Sequence, residues 1–189
     1  QERLPSDSHR IPVVHLPKTI DNDYTGIDFT FGYFTAVDTL AAEVRNLIFD
    51  AEATQSYFLA ETMGRSAGWL AYGAAIAGEA SLVISVEDIR GDYLIKETVL
   101  DENDVTQTRL VMDVDRVVDR VVKSMLAREA EGKYFGVVVL AEGLAELLPS
   151  TYLEGIPRDE HGHISISHVS LGRMFSGLVS QEFATQTGR

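Results

Sequence analysis

The segment Phe135 to Ala141, FGVVVLA, constrains the fold of this chain more than any other stretch. A continuous run of valines between apolar neighbours is what a parallel strand covered on both faces requires. Further short strands read at Ile11–Leu16, Ser56–Ala60 (SYFLA) and Ser81–Val86. Between them run helical patterns. Phe31, Phe34, Val37, Ala41, Val44 and Ile48 recur every three or four residues and predict a helix to about Asp50. The small-residue segment from about Ala67 to Ala77 reads as a second helix, with Gly68, Gly73 and Gly78 allowing close packing. Asp113 caps a third, whose stripe is Val114, Val117, Val118, Val121, Val122 and Met125 and which ends at Gly132. Leu171 to Ala184 reads as the last helix, preceded by a strand at Ile164–Val169. Residues 87–112 are mixed and polar and give no assignment. Strands alternating with helices predict an α/β fold: doubly wound, mainly parallel, with Rossmann-like layers.

Composition narrows what such a fold could serve. At 189 residues, 45% hydrophobic and with mean hydropathy near zero, the chain can bury a core in one good-sized domain or in parts of two. Its 29 acidic against 16 basic residues give a net charge of -13, which disfavours a nucleic-acid partner. A small anion, held locally by a few cations and a helix start, stays compatible with that charge. The absence of Cys removes disulfides, thiolate catalysis and Cys-based zinc sites, and fits a cytoplasmic protein. No apolar run approaches a membrane span, so no membrane partner is expected, and QERLPSDSHR has no signal-peptide core. The chain begins at Gln1 and runs almost at once into an apolar segment, which reads as a piece of something longer.

Chemistry concentrates at three predicted strand ends. Leu16 to Gly26, LPKTIDNDYTG, places Lys18, Thr19, Asp21 and Asp23 within six residues. Such a set can hold a phosphate, accept a proton and face a metal, and an open α/β sheet puts its ligands at strand carboxyl ends. The same residues also make an ordinary capped turn. Met63-Gly64-Arg65 follows the SYFLA strand, where Arg65 and nearby backbone N–H groups would suit a phosphoryl group, or Arg65 pairs with Glu61. Glu142-Gly143 ends the valine strand; its carboxylate either binds something such as sugar hydroxyls or caps the following helix. His161 and His163 read as a polar turn, since no Cys or third spaced His supports a metal. Trp69 and the aromatics of the first helix read as core.

The three motifs in this order, PKTIDND, MGRSAGWLA and GKYFGVVVLAEG, resemble the 6-phosphofructokinase family from Ile11 to the end of the chain. IPRDEHGHISIS is similar to the longer, pyrophosphate-dependent members. The resemblance implies phosphoryl transfer to the 1-hydroxyl of fructose 6-phosphate, with Mg²⁺ as cofactor and pyrophosphate or ATP as donor. Residue by residue, it implies that Asp21 is the general base and that Thr19 and Ile20 belong to the substrate-contacting turn. Met63 and Gly64 match the sugar-binding turn, Arg65 reaches phosphate oxygens or the transferring group, and Glu142 binds sugar hydroxyls. Asp23 matches an acidic position near the metal, whose main ligand is expected outside this chain. Residues 1–52 correspond to the later part of a first α/β domain and 53–189 to part of the second, sugar-phosphate-binding one. A homo-oligomer is implied as well.

Lys18 bears on the donor. Pyrophosphate-using members carry Lys before the TIDND turn where many ATP-dependent bacterial members carry Gly, although some ATP users share the Lys. Two departures stand out. The family's Gly-rich phosphate loop, its Gly-Gly-Asp-Asp loop and its downstream basic segment have no counterpart in these 189 residues, so transfer by this stretch alone is not expected. Seven residues before Met63, where the family often has a basic residue reaching a neighbouring subunit's site, stands Ser56. A non-catalytic paralogue that binds sugar phosphate is the alternative of another class.

Overall fold

A computed structural model describes residues 12–100, 106–157 and 168–189. Its central layer is a three-stranded, all-parallel sheet of β3 (Tyr57–Thr62), β4 (Leu82–Ile84) and β7 (Gly136–Ala141). The valine strand β7 lies in the middle, with Tyr57 opposite Gly136 on one edge and Leu82 opposite Val138 on the other. All six residues of β7 are buried. Its alternate side chains separate two cores. Val137, Val139 and Ala141 pack with Val44 of α1 (Tyr33–Thr54) and with Ala71 and Ala75 of α2 (Trp69–Gly78). Val138 and Leu140 face the larger core, which includes Val117, Val118, Val121 and Val122 of α3 (Val114–Ala130) and Phe175 of α4 (Leu171–Thr187). A strand with helices on both faces can afford no polar position, which is why its sequence is unbroken apolar.

The helices form where the pattern places them. In α3, Asp113 accepts the Arg116 backbone N–H at 3.1 Å, and the valine stripe from Val114 to Val122 turns wholly inward. Helix α1 runs from Tyr33 to Thr54, starting two residues after the predicted first apolar position and ending four past Asp50. Gln55 terminates it in the left-handed conformation with φ 50°. Small residues let α1 and α2 approach closely: a Cβ at Gly73 would stand 2.7 Å from Val37, and one at Gly78 2.7 Å from Val44.

Three expectations need correction, and one stretch left unassigned takes a definite form. Of the strand predicted at Ile11–Leu16, residues 12–16 form none, and Val13 and Val14 are more than 80% exposed. A buried parallel strand needs sheet neighbours and cover on both faces; the local pairing is instead between two-residue strands, β1 (Lys18–Thr19) and β2 (Phe31–Gly32). The strand at Ser81–Val86 shortens to Leu82–Ile84, because Ser85 and Asp88 form a reciprocal capping box that turns the chain. The unassigned residues 87–112 contain an antiparallel hairpin, β5 (Leu94–Leu100) with β6 (Thr106–Met112). Trp69 and Phe34 are exposed rather than core, since small residues fill the α1–α2 interface. His161, His163 and most of the strand expected at Ile164–Val169 lie outside the described residues. Among the described residues no helix is long and apolar enough to cross a membrane.

Candidate active site

Because β3, β4 and β7 are parallel, their carboxyl ends share one edge. Met63-Gly64-Arg65, Ser85-Val86-Glu87 and Glu142-Gly143 all follow strands at that edge. The first and last are joined directly. The Glu142 Oε1 accepts the backbone N–H of Gly64 at 3.0 Å and that of Arg65 at 2.8 Å. Gly143 lies so close beneath this turn that a Cβ there would collide with the Arg65 carbonyl oxygen. Three residues on, the Gly68 N–H donates to Glu87 Oε1 at 2.9 Å. The Tyr72 hydroxyl donates to Asp88 Oδ2 at 2.8 Å, and burial followed by that carboxylate pushes the Tyr72 phenol up to about 12.

This bracing occupies backbone groups that the sequence leaves open to a ligand. The backbone N–H groups of Gly64, Arg65 and Gly68, expected to face a phosphoryl group, are taken by carboxylates of the protein itself. Glu142 caps no helix with its Oε1; it secures the neighbouring strand's turn. The Arg65 side chain behaves otherwise. Its backbone sits in the left-handed region at φ 48°, which a side chain tolerates only where its surroundings hold it. Glu61, its expected partner, instead accepts the Gly172 N–H at the start of α4 at 3.0 Å. Among the described residues the exposed Arg65 guanidinium has no carboxylate partner, so it is available to an anion.

The second polar loop, Lys18 to Asp23, leaves β1 and is closed by its own hydrogen bonds. The Asp21 N–H donates to Thr19 Oγ1 at 3.2 Å, and the Thr30 hydroxyl to the Thr19 carbonyl at 2.7 Å. Asn22, at φ 58°, accepts the Thr30 N–H at 2.9 Å and donates to the Asp28 carbonyl at 3.3 Å. Asn tolerates this conformation better than most residues. Thr19, Ile20 and Asp21 are half-buried, while Lys18 and Asp23 are exposed. Asn22 stands in the sequence as an ordinary turn residue between the two aspartates, whereas nothing there marks Thr30 as its partner eight residues on.

No hydrogen bond joins the two loops directly among the described residues. Tyr33 links their supports: the residue beginning α1, just after β2, donates its hydroxyl to the carbonyl of Trp69, which begins α2, at 3.0 Å. Ser56 lies at the opposite, amino end of β3, where its hydroxyl is 2.7 Å from that of Thr54. Mg²⁺ commonly takes one or two carboxylates and completes its shell with water and substrate phosphates. Asp23, exposed on the loop, is a carboxylate of that kind, and among the described residues no group of three or more His, Cys, Asp or Glu that could hold a metal gathers.

A parallel sheet with helices on both faces defines an α/β fold of the doubly wound class. The phosphofructokinase family model matches residues 2–188, and the chain belongs to that family. Pyrophosphate--fructose 6-phosphate 1-phosphotransferase of Naegleria fowleri is 36% identical over 176 residues, 88% of this chain and 37% of that protein. ATP-dependent 6-phosphofructokinase of Chloroflexus aggregans is 30% identical over 144 residues, 75% of this chain and 33% of that protein. The chain thus spans well under half the length of the curated relatives it matches. Phosphofructokinase from Saccharomyces cerevisiae shares the fold, with a TM-score of 0.57 at 20% identity over 86% of this chain and 16% of that one.

Proposed function

We propose that this chain carries the acceptor side of a phosphofructokinase site, transferring a phosphoryl group from pyrophosphate to the 1-hydroxyl of fructose 6-phosphate. The observation that carries the reading is the braced Lys18–Asp23 loop, which presents a half-buried carboxylate between an exposed lysine and an exposed aspartate. In this reading Asp21 takes the hydroxyl proton as the sugar oxygen bonds to phosphorus and the bond to the leaving phosphate breaks. A positioned carboxylate base of this sort contributes roughly 10²–10⁴-fold. The unpaired Arg65 guanidinium meets phosphate oxygens, where bidentate geometry suits it. Met63 is exposed beside it for sugar contact, with Gly64 in the same turn. Glu142 has its Oε2 without a hydrogen bond among the described residues and free for a sugar hydroxyl, while Oε1 holds the turn. Thr19 and Ile20 stand beside Asp21 in the Lys18–Asp23 loop for substrate contact.

A bound Mg²⁺ supplies charge neutralisation on the donor, and Asp23 is the residue here that would reach it. Lys18 favours pyrophosphate, since its ammonium can neutralise the departing inorganic phosphate, and the Naegleria relative carries the same activity in its name. ATP is the second reading, because an ATP-dependent relative matches at 30%. The division near residue 52 and a homo-oligomeric assembly belong to this proposal too. Catalysis here rests on positioning and charge rather than covalent chemistry. The test is coupled turnover of fructose 6-phosphate by the full-length protein with Mg²⁺ and either pyrophosphate or ATP. Turnover with pyrophosphate alone is expected. Turnover with ATP alone would keep Asp21 as base and overturn the reading of Lys18; none with either, in folded protein, would favour a non-catalytic paralogue.

A further inference from the structure

Glu87 has no role in the reading above, yet its carboxylate is fully used. It follows β4 at the same sheet edge, and Oε1 accepts the Gly68 N–H at 2.9 Å. Its Oε2 accepts the hydroxyl of Ser85, a residue with no exposure at all. Gly68 is fitted tightly against this pair: a Cβ there would collide with the Ser85 Oγ. Glu142, from the neighbouring strand β7, holds Gly64 and Arg65. The five-residue connection from Gly64 to Gly68 is therefore clamped at each end by a carboxylate from a different strand. Between the clamps stands Arg65 in a left-handed backbone conformation. A residue so placed needs surroundings that over-determine it.

Resting on the proposed phosphoryl-transfer site, we infer that Glu87 is a positioning residue, fixing the Gly64–Gly68 turn from its far end so that the Arg65 guanidinium is presented to the substrate phosphate. Glu87 itself touches no substrate. A negative group at the first turn of α2 also suits the helix dipole, but that effect alone would stabilise the helix without aiming Arg65.

The test uses full-length protein with Glu87→Ala, Glu87→Gln, Ser85→Ala and Arg65→Ala, alone and with Glu87→Ala combined with Arg65→Ala. Glu87→Ala is expected to speed amide exchange of the 64–68 segment without altering exchange in β7. It should raise KM for fructose 6-phosphate or the donor by about tenfold, the scale of losing a hydrogen bond to a charged group. Glu87→Gln keeps an acceptor for Gly68 and is expected to restore both. In the Arg65→Ala background, Glu87→Ala should raise KM no further, because its effect passes through Arg65. If Glu87→Ala unfolds the chain, Ser85→Ala, which loosens Glu87 while leaving the carboxylate in place, is expected to give the same segment-specific exchange and a smaller KM rise.

Unchanged exchange at 64–68 would overturn the clamp. Faster exchange with unchanged KM, or an undiminished KM effect in the Arg65→Ala background, would overturn the positioning role. Lack of turnover by the unmutated protein would instead overturn the proposed function and, with it, the role given to this turn, while the exchange result would still report on the clamp.

Discussion

The hydroxyl of Tyr33 donates to the carbonyl of Trp69 at 3.0 Å, so the first residue of α1 is tied to the first residue of α2. That bond connects the support of the Lys18–Asp23 loop to the support of the Arg65 turn. Tyr33 is 6% exposed, and burial raises its phenol above the ordinary range. Tyr33→Phe should lower stability by about 1 kcal/mol, the usual worth of a neutral hydrogen bond. Chemical denaturation reads the loss. An unchanged midpoint would mean that the two helix starts are held by packing alone.

Gly143 should tolerate no side chain. A methyl group there meets a backbone oxygen, that of Arg65, which cannot swing aside as a side chain could. Gly143→Ala is expected to cost roughly 1–3 kcal/mol as overpacking and to disturb the Glu142 hydrogen bonds that depend on the same approach. Thermal unfolding measures the first effect. Wild-type stability in that variant would show that the β7 and β3 ends can separate freely.

The valine strand and the α3 stripe were legible because burial on two faces, or on one helical face, leaves a periodic imprint. β7 and α3 lie at Gly136–Ala141 and Val114–Ala130, close to their predicted limits. The hairpin β5–β6 was not legible, because charged and hydroxyl residues such as Lys96, Glu97, Thr98 and Arg109 interrupt its strands. The segment preceding Lys18 misled for the converse reason: an apolar run states a need for burial, not where the partners are. At the candidate site, residue types and order were readable. What each carboxylate accepts was not, since Glu142 with Gly64 and Glu87 with Gly68 are contacts 78 and 19 residues apart in the chain.

Glu97 gives the hairpin a pH dependence. Burial pushes its carboxyl up, but hydrogen bonds from the Ser150 hydroxyl and N–H, at 2.7 and 2.8 Å, together with Arg109, outweigh it and leave the group below its ordinary range. A carboxylate lowered on folding adds stability above its unfolded value and loses it as pH falls through the folded one. Stability should therefore decline on acidification below the ordinary carboxylate range, and Glu97→Gln should flatten part of that decline. Denaturation midpoints at several acidic pH values check this. Identical pH profiles for the two proteins would contradict it.

The account turns on Asp21 as the proton acceptor. The most direct measurement is turnover and fructose 6-phosphate binding by the full-length protein and its Asp21→Asn variant, side by side. Asparagine keeps the shape and the loop's hydrogen bonds, which come from the Asp21 N–H, Thr19, Asn22 and Thr30. The predicted result is a kcat lower by roughly 10²–10⁴-fold with sugar-phosphate affinity nearly unchanged. Turnover equal to the unmutated protein would contradict the assignment of the base and the mechanism built on it.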